Sequence, residues 1–227
     1  MQNIEKNLSN IKHQIGDICQ HFQRADGDVT LLAVSKRKPA SDIRAAFEYG
    51  QRCFGENYLQ EALEKISDLS DYDIEWHFIG AIQSNKTRPI AENFSWVHCV
   101  ERLKVAQRLN DQRPTNLPPL NICIQVNIDQ EATKAGVAIE AVEALAKAIS
   151  SLPNIKLRGL MAIPARGETE SEQRKPFAQL KECLTNLQSI GINCDTLSMG
   201  MSNDLEAAIA EGSTLVRIGT AIFGERL

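Results

Sequence analysis

Lys36 stands directly behind an apolar, β-branched run, in the order Ser35-Lys36-Arg37-Lys38-Pro39. If that run is a strand, the amine emerges beside low-dielectric walls. Burial disfavours the ammonium form, and a neutral amine can attack an aldehyde. The plainer alternative is a solvated basic loop, or a KRKP cluster of the nuclear-localisation kind. Near the other end of the chain, Arg217 falls inside the apolar stretch Thr214-Leu215-Val216-Arg217-Ile218. A charge there needs a protein partner, such as Glu225, or a ligand. Gly219 and Thr220 follow at once and can offer backbone N–H groups to a phosphate. Ser202 precedes helical spacing over 203–211, where unpaired N–H groups and the helix dipole favour an anion. Capping that helix is the other role open to Ser202, and the two can coexist.

Weaker candidates follow two further apolar runs. Glu56, Asn57 and Tyr58 offer a carboxylate, an amide and a ring, and Asn57 either caps the next helix or points into a site. His77, inside EWHFI (75–79), reads more readily as a satisfied core histidine than as a catalyst. Met161 reads as wall. The six cysteines form no Cys-x-x-Cys pair and read as reduced, mostly buried thiols. A zinc site using His98 or Cys99 lacks a second ligand pair at suitable spacing, so no metal is expected.

These residues need elements to hold them. Ile4, Leu8, Ile11, Ile15, Ile18 and Phe22 recur at steps of four and three, which predicts an N-terminal helix. Packing against the domain fits these few turns better than a coiled coil. Strand candidates then fall at 28–35, 51–55, 75–79, 95–99, 120–127, 155–161, 194–198 and 214–218. Helical spacing falls at 41–49, 57–69, 101–110, 139–150, 172–190 and 203–211, with Gly50 placed to end the first of these. The stretch 164–174 is polar and reads as a loop. Eight β/α units in 227 residues predict a single (β/α)8 TIM-type barrel with an extra N-terminal helix, one α/β domain over 1–227. An open doubly wound sheet is the runner-up, but no strand leads into Gly-x-Gly-x-x-Gly. Functional groups of a barrel gather where its strands end, and closure makes the first and eighth strands neighbours. Lys36 and Arg217 would then approach one pocket.

Bulk properties narrow the function classes. A formal net charge of −4 gives nonspecific nucleic-acid binding no support. The opening residues Met1 to Lys6 lack an apolar leader core, and no run is long and apolar enough for a membrane span. The expected compartment is the cytoplasm, with no membrane or nucleic-acid partner.

Six stretches in order carry a resemblance: LLAVSKRKP (31–39), FGENYLQE (54–61), EWHFIGAIQSNK (75–86), RGLMAIP (158–164), LSMGMSNDLEAAI (197–209) and GSTLVRIGTAIFG (212–224). Together they resemble the pyridoxal 5′-phosphate (PLP) homeostasis protein family. That resemblance implies a barrel similar to the N-terminal domain of alanine racemases, and a Schiff-base lysine at Lys36. By the same likeness Arg217 faces the pyridine nitrogen and Ser202, Gly219 and Thr220 hold the phosphate, with Asn57 as a further contact. Alanine racemases carry a tyrosine four residues after the lysine, where this chain has Ala40. They also use a second domain, and this chain ends at Leu227. A cationic arginine at the ring nitrogen disfavours its protonation and weakens the cofactor as an electron sink. The expectation is a PLP carrier or regulator without turnover, monomeric, with PLP-dependent apo-enzymes as partners. An amino-acid racemase is the alternative, and an RNA- or protein-binding module using the basic Lys36 loop is a third class.

Overall fold

Each apolar run read from the sequence becomes a parallel strand, and the eight strands close on themselves. The computed structural model describes residues 3–131 and 134–225. Met1 and Gln2, which open the stretch read above for a leader, and the terminal Leu227 lie outside them. The strands are β1 (Thr30–Val34), β2 (Cys53–Glu56), β3 (Glu75–Phe78), β4 (Trp96–Val100), β5 (Leu120–Gln125), β6 (Ile155–Met161), β7 (Thr196–Ser198) and β8 (Leu215–Ile218). Between and around them run α1 (Ile4–His21), α2 (Ala40–Glu48), α3 (Leu59–Asp68), α4 (Thr87–Asn93), α5 (Leu103–Gln112), α6 (Val142–Ser150), α7 (Glu170–Ser189), α8 (Leu205–Ala210) and α9 (Thr220–Phe223). Strand order is β1 to β8 in a closed ring, a (β/α)8 barrel. The closing pair settles the choice against an open sheet: β1 lies parallel to β8 with Thr30 opposite Leu215 and Leu32 opposite Arg217.

Local chemistry explains the boundaries. Asn3 caps α1 by accepting the Lys6 N–H at 2.9 Å, and Ile4, Leu8, Ile11, Ile15 and Cys19 form its buried face. Each large apolar side chain buried there contributes about 1.5–3 kcal/mol. That face packs on α2, α8 and α9, so α1 covers the seam where the barrel closes. Gly50, at φ +82°, ends α2 with the paired bonds of a Schellman motif: Gly50 N–H to Phe47 O and Gln51 N–H to Ala46 O. Several expected bounds need correction by two or three residues, α3, α5 and α6 among them. Helix α7 begins at Glu170, inside the stretch read as loop, because Thr169 and Glu172 form a reciprocal capping box. Helix α8 begins at Leu205, two residues later than the spacing suggested.

Alternation along each strand sorts the side chains. Leu31, Ala33, Trp76, Phe78, Val97 and Val216 turn outward to the helix layer, where Phe78 meets Phe94 edge-on at 5.3 Å. Thr30, Leu32 and Val34 on β1, Glu75 and His77 on β3, and Leu215 and Arg217 on β8 turn inward. They climb from the N-terminal to the C-terminal mouth two residues at a time.

Candidate functional site at the C-terminal mouth

Lys36 sits two residues beyond β1 in a tight turn, where Lys38 N–H meets Ser35 O at 3.0 Å and Arg37 takes a left-handed φ of +59°. A bonded cluster outside the barrel pins this turn. Lys65 Nζ on α3 reaches Ser35 O (2.8 Å), Glu56 Oε1 (2.7 Å) and Glu61 Oε1 (2.6 Å). Ser35 Oγ donates to Glu56 Oε1 at 2.7 Å, and Arg37 N–H donates to Glu61 Oε1. Burial pushes the Glu56 carboxyl up while Lys65 and Ser35 pull it down. Both residues flanking Lys36 are therefore held from behind, and the lysine faces a cavity.

That cavity has a volume of about 610 Å³ at the C-terminal mouth, and Lys36, Asn57, Ser202, Arg217, Gly219 and Thr220 all line it. Val34, Ile79, Met161 and Ile163 supply apolar wall. Four cationic side chains face it, Lys36, Lys38, Arg166 and Arg217, and no carboxylate does among the described lining residues. Such a site favours an anionic ligand.

Arg217 is 5% exposed, and its partner is not Glu225. Its NH1 donates to Ser198 O at 2.6 Å and Ser198 Oγ at 2.8 Å, and its NH2 donates to Ala162 O at 3.0 Å. A guanidinium has five N–H donors, so two stay uncommitted among the described residues. Burial lowers its pKa to about 10, with Asp204 opposing, so the side chain is cationic at neutral pH.

Asn57 does not cap α3; Tyr58 stands at that position. The Asn57 Oδ1 is buried without a hydrogen-bond partner among the described residues. Its backbone is wedged against Gly80, where a Cβ would lie 2.0 Å from Asn57 O. Ser202 does not cap α8 either. Gly200 turns the chain at φ +97°, and Asp204 Oδ1 accepts the Met201 N–H, closing a turn that leaves Ser202 on the cavity wall. Gly219 is a close-approach position: a Cβ would meet Val34 O at 3.1 Å. In α9 the Ile222 and Phe223 N–H groups donate to Gly219 O, both at 2.9 Å, ahead of which stand the N–H groups of Gly219, Thr220 and Ala221.

Other candidates separate from this site. Arg37 stacks on Tyr58 at 5.4 Å and Lys38 Nζ donates to Glu225 O at 2.7 Å, so the Lys36 loop is not one solvated basic patch. His98 and Cys99 share no ligand set: Cys99 Sγ donates to Gly80 O, and both ring nitrogens of His98 are engaged inside the barrel. Among the described residues, a metal-capable trio forms elsewhere, from Cys53, Glu75 and His77. The sequence reading passed over Lys38 and Arg166 as wall residues and Lys65 as an anchor. Lys65 carried no signal, since its place on α3 looks like a solvated helix position.

Comparisons with known proteins agree with this architecture. Residues 6–227 match the family model for the alanine racemase N-terminal domain. A Pseudomonas aeruginosa protein named pyridoxal phosphate homeostasis protein is 56% identical over 226 residues, covering 100% of this chain and 97% of its own. The Escherichia coli K12 protein of the same name is 49% identical over 229 residues, covering 100% and 98%. The structure of PipY from Synechococcus elongatus with PLP bound superposes with a TM-score of 0.86 at 36% identity, covering 98% of this chain and 100% of PipY. The chain belongs to the pyridoxal phosphate homeostasis protein family, whose barrel is that of the alanine racemase N-terminal domain.

Proposed function

We propose that this protein holds PLP at Lys36 and works in PLP homeostasis as a carrier or regulator, without turnover. One observation carries the reading. Barrel closure brings Lys36 and Arg217, from adjacent strands, to one cavity with four cations and no carboxylate. The fit to PLP is chemical. The orphan Oδ1 of Asn57, the uncommitted N–H groups of Arg217 and the close approach at Gly219 are what a phosphorylated heterocycle would use. Bound PLP supplies an aldehyde for an amine and a conjugated ring that can accept electrons.

The chain's own residues divide the work. Lys36 holds the cofactor covalently through its amine. Ser202, Gly219 and Thr220 take the phosphate with a hydroxyl and backbone N–H groups. Arg217 would meet the pyridine nitrogen as a donor, and Asn57 Oδ1 would accept from the ring hydroxyl, the one ring substituent that can donate. A permanent cation at that nitrogen keeps it unprotonated and limits carbanion stabilisation. Among the described residues lining the cavity, no Asp, Glu, His, Cys or Tyr stands to pair with a lysine as acid and base for amino-acid chemistry. This supports a carrier over a racemase. We read residues 1–227 as one domain, a cytoplasmic monomer, with apo-enzymes that need PLP as its acceptors.

The test is to load the protein with PLP, reduce with borohydride and map the adduct by mass spectrometry. A single adduct on Lys36, with transfer of unreduced PLP to an apo-enzyme, is expected. Absence of the Lys36 adduct overturns PLP binding as assigned. Racemisation at ordinary enzyme rates (roughly 1–1,000 per second) overturns the carrier role.

A further inference from the structure

A barrel interior is ordinarily filled by apolar side chains. Here one line of polar contacts crosses it from mouth to mouth. Arg217 NH1 lies 2.8 Å from Ser198 Oγ, and Ser198 Oγ lies 2.8 Å from His98 Nδ1. His98 Nε2 lies 2.9 Å from His77 Nδ1, and His77 Nε2 lies 2.9 Å from Glu75 Oε1. Glu75 belongs to the N-terminal mouth, with Asp28, Trp96, Arg158 and Asp195 around it. The four residues above it are all buried, and β3, β4, β7 and β8 each supply a part.

The ends fix the direction. An arginine can only donate and an ionised carboxylate can only accept. Glu75 therefore takes the Nε2–H of His77. That leaves His77 Nδ1 bare, so it takes the Nε2–H of His98. His98 Nδ1 is then bare and takes the Ser198 hydroxyl proton, and the hydroxyl lone pair faces Arg217. Any other arrangement of neutral rings sets two lone pairs or two N–H groups face to face. Neutral rings are what burial enforces, since it pushes both histidines down, His98 strongly. The His77 hydrogen bond holds the Glu75 carboxyl below its usual range.

We propose that Ser198, His98 and His77 are positioning residues that fix the Arg217 guanidinium towards the cofactor site, through a one-way hydrogen-bond chain anchored on Glu75 at the opposite mouth. The identity of what Arg217 meets rests on the PLP reading above; the chain itself does not. Cys53, which also donates to Glu75 Oε1 at 3.4 Å, belongs to the anchor. The Cys53, Glu75 and His77 atoms that could gather a metal are thus already bonded to one another. The consequence is long-range. What binds at Arg217 changes the polarisation of bonds that end at the far mouth.

The test uses the whole protein with ¹⁵N-labelled histidine, before and after PLP loading. In the unloaded protein at neutral pH, both His77 and His98 should show a protonated Nε2 and a bare Nδ1. The reverse tautomer, or a doubly protonated ring, in either residue overturns the chain. Loading should shift the His98 nitrogens in the wild type and not in Ser198→Ala. The same variant should weaken PLP retention roughly 10-fold, the worth of one hydrogen bond to a charge. Ser198→Thr, which keeps the hydroxyl, should recover most of it. Glu75→Gln, at the half-exposed foot, guards against misfolding of the buried variants. It should move the His98 resonances although His77 is the one member of the chain it bonds, and unmoved His98 resonances overturn the coupling. Failure of the wild type to form a Lys36 adduct sinks the PLP reading alone, because the tautomers are read without cofactor.

Discussion

At the C-terminal mouth, Lys36, Lys38, Arg166 and Arg217 line a cavity of about 610 Å³ that has no carboxylate among its described lining residues. At the N-terminal mouth a cavity of about 300 Å³ holds Asp28, Glu75 and Asp195 against Arg158 and His77. There the charges answer one another: Arg158 makes two bonds to Asp195, at 3.0 and 2.8 Å, and stacks on Trp96. His77 is bonded to Glu75. The same strands thus end beside carboxylates bonded to Arg158 and His77 on one side, and on the other beside four basic side chains with no carboxylate among the described lining residues. A cavity lined by basic side chains favours an anionic ligand, so it marks where a ligand belongs. The comparison predicts that changes at the C-terminal mouth act on PLP, and that changes at the N-terminal mouth act on stability alone unless they lie on the chain to Arg217.

The largest expected effect is at Lys36. Lys36→Ala should abolish the borohydride-trapped adduct and the yellow colour of the loaded protein. Its side chain is half-buried at a mouth, so unfolding in urea should change by about 0.5 kcal/mol or less. A retained covalent adduct would break the comparison at once. Gly80→Ala comes next. Its new Cβ would meet Asn57 O at 2.0 Å, so the β2–α3 turn must move. We expect a loss of about 1–3 kcal/mol, the cost of overpacking, together with weaker PLP retention. Lost stability with unchanged PLP affinity would remove Asn57 from the site.

Much of this was legible in the sequence because the barrel writes its strands as apolar, β-branched runs. Lys36 and Arg217 stood out as charges attached to such runs, and closure alone makes them neighbours. Short or irregular elements were harder. Helix α4 is seven residues long and carries Pro89 in its first turn, which leaves little periodicity to read. Ser202 looked like a cap because the spacing could not show that Gly200 and Asp204 close a turn ahead of α8. The polar chain was invisible for a different reason. His98 on β4 meets Ser198 on β7 across the barrel, a contact one hundred residues apart that no local pattern encodes. The available signal was alternation: Glu75, His77 and Ile79 share one face of a strand, as do Trp96 and His98.

The buried histidines give a pH dependence that crosses the comparison. Their native pKa values lie below the unfolded value of 6.5, that of His98 well below. As pH falls through 6.5 the unfolded chain binds protons that the native chain cannot. Their contribution is present above pH 6.5 and is lost as pH falls towards the native values. The slope approaches about 1.4 kcal/mol per pH unit for each histidine. Urea melts at pH 7.0, 6.0 and 5.0 should show it, and a flat profile would mean that the rings take up protons in the fold as readily as in the unfolded chain.

The smallest effect belongs at the N-terminal mouth. The Arg158–Asp195 pair has bidentate geometry, but its side chains are 24% and 59% exposed. Solvent screens such a pair, so Asp195→Asn should cost about 0.2–1 kcal/mol, towards the upper end because two parallel bonds are lost. Arg158 keeps its stacking on Trp96, 4.7 Å from the ring centroid, and its bond to Asn121 Oδ1 at 3.2 Å, so its position should hold. PLP retention should stay within about twofold of the wild type, well inside the tenfold that 1.4 kcal/mol represents. This variant tests which charges at the far mouth count. Asp195 borders the same cavity as Glu75 but, among the described residues, makes no bond to His77, whereas Glu75 has a bonded route to Arg217. Equal loss of PLP from Asp195→Asn and Glu75→Gln would replace that route with the general field of the mouth.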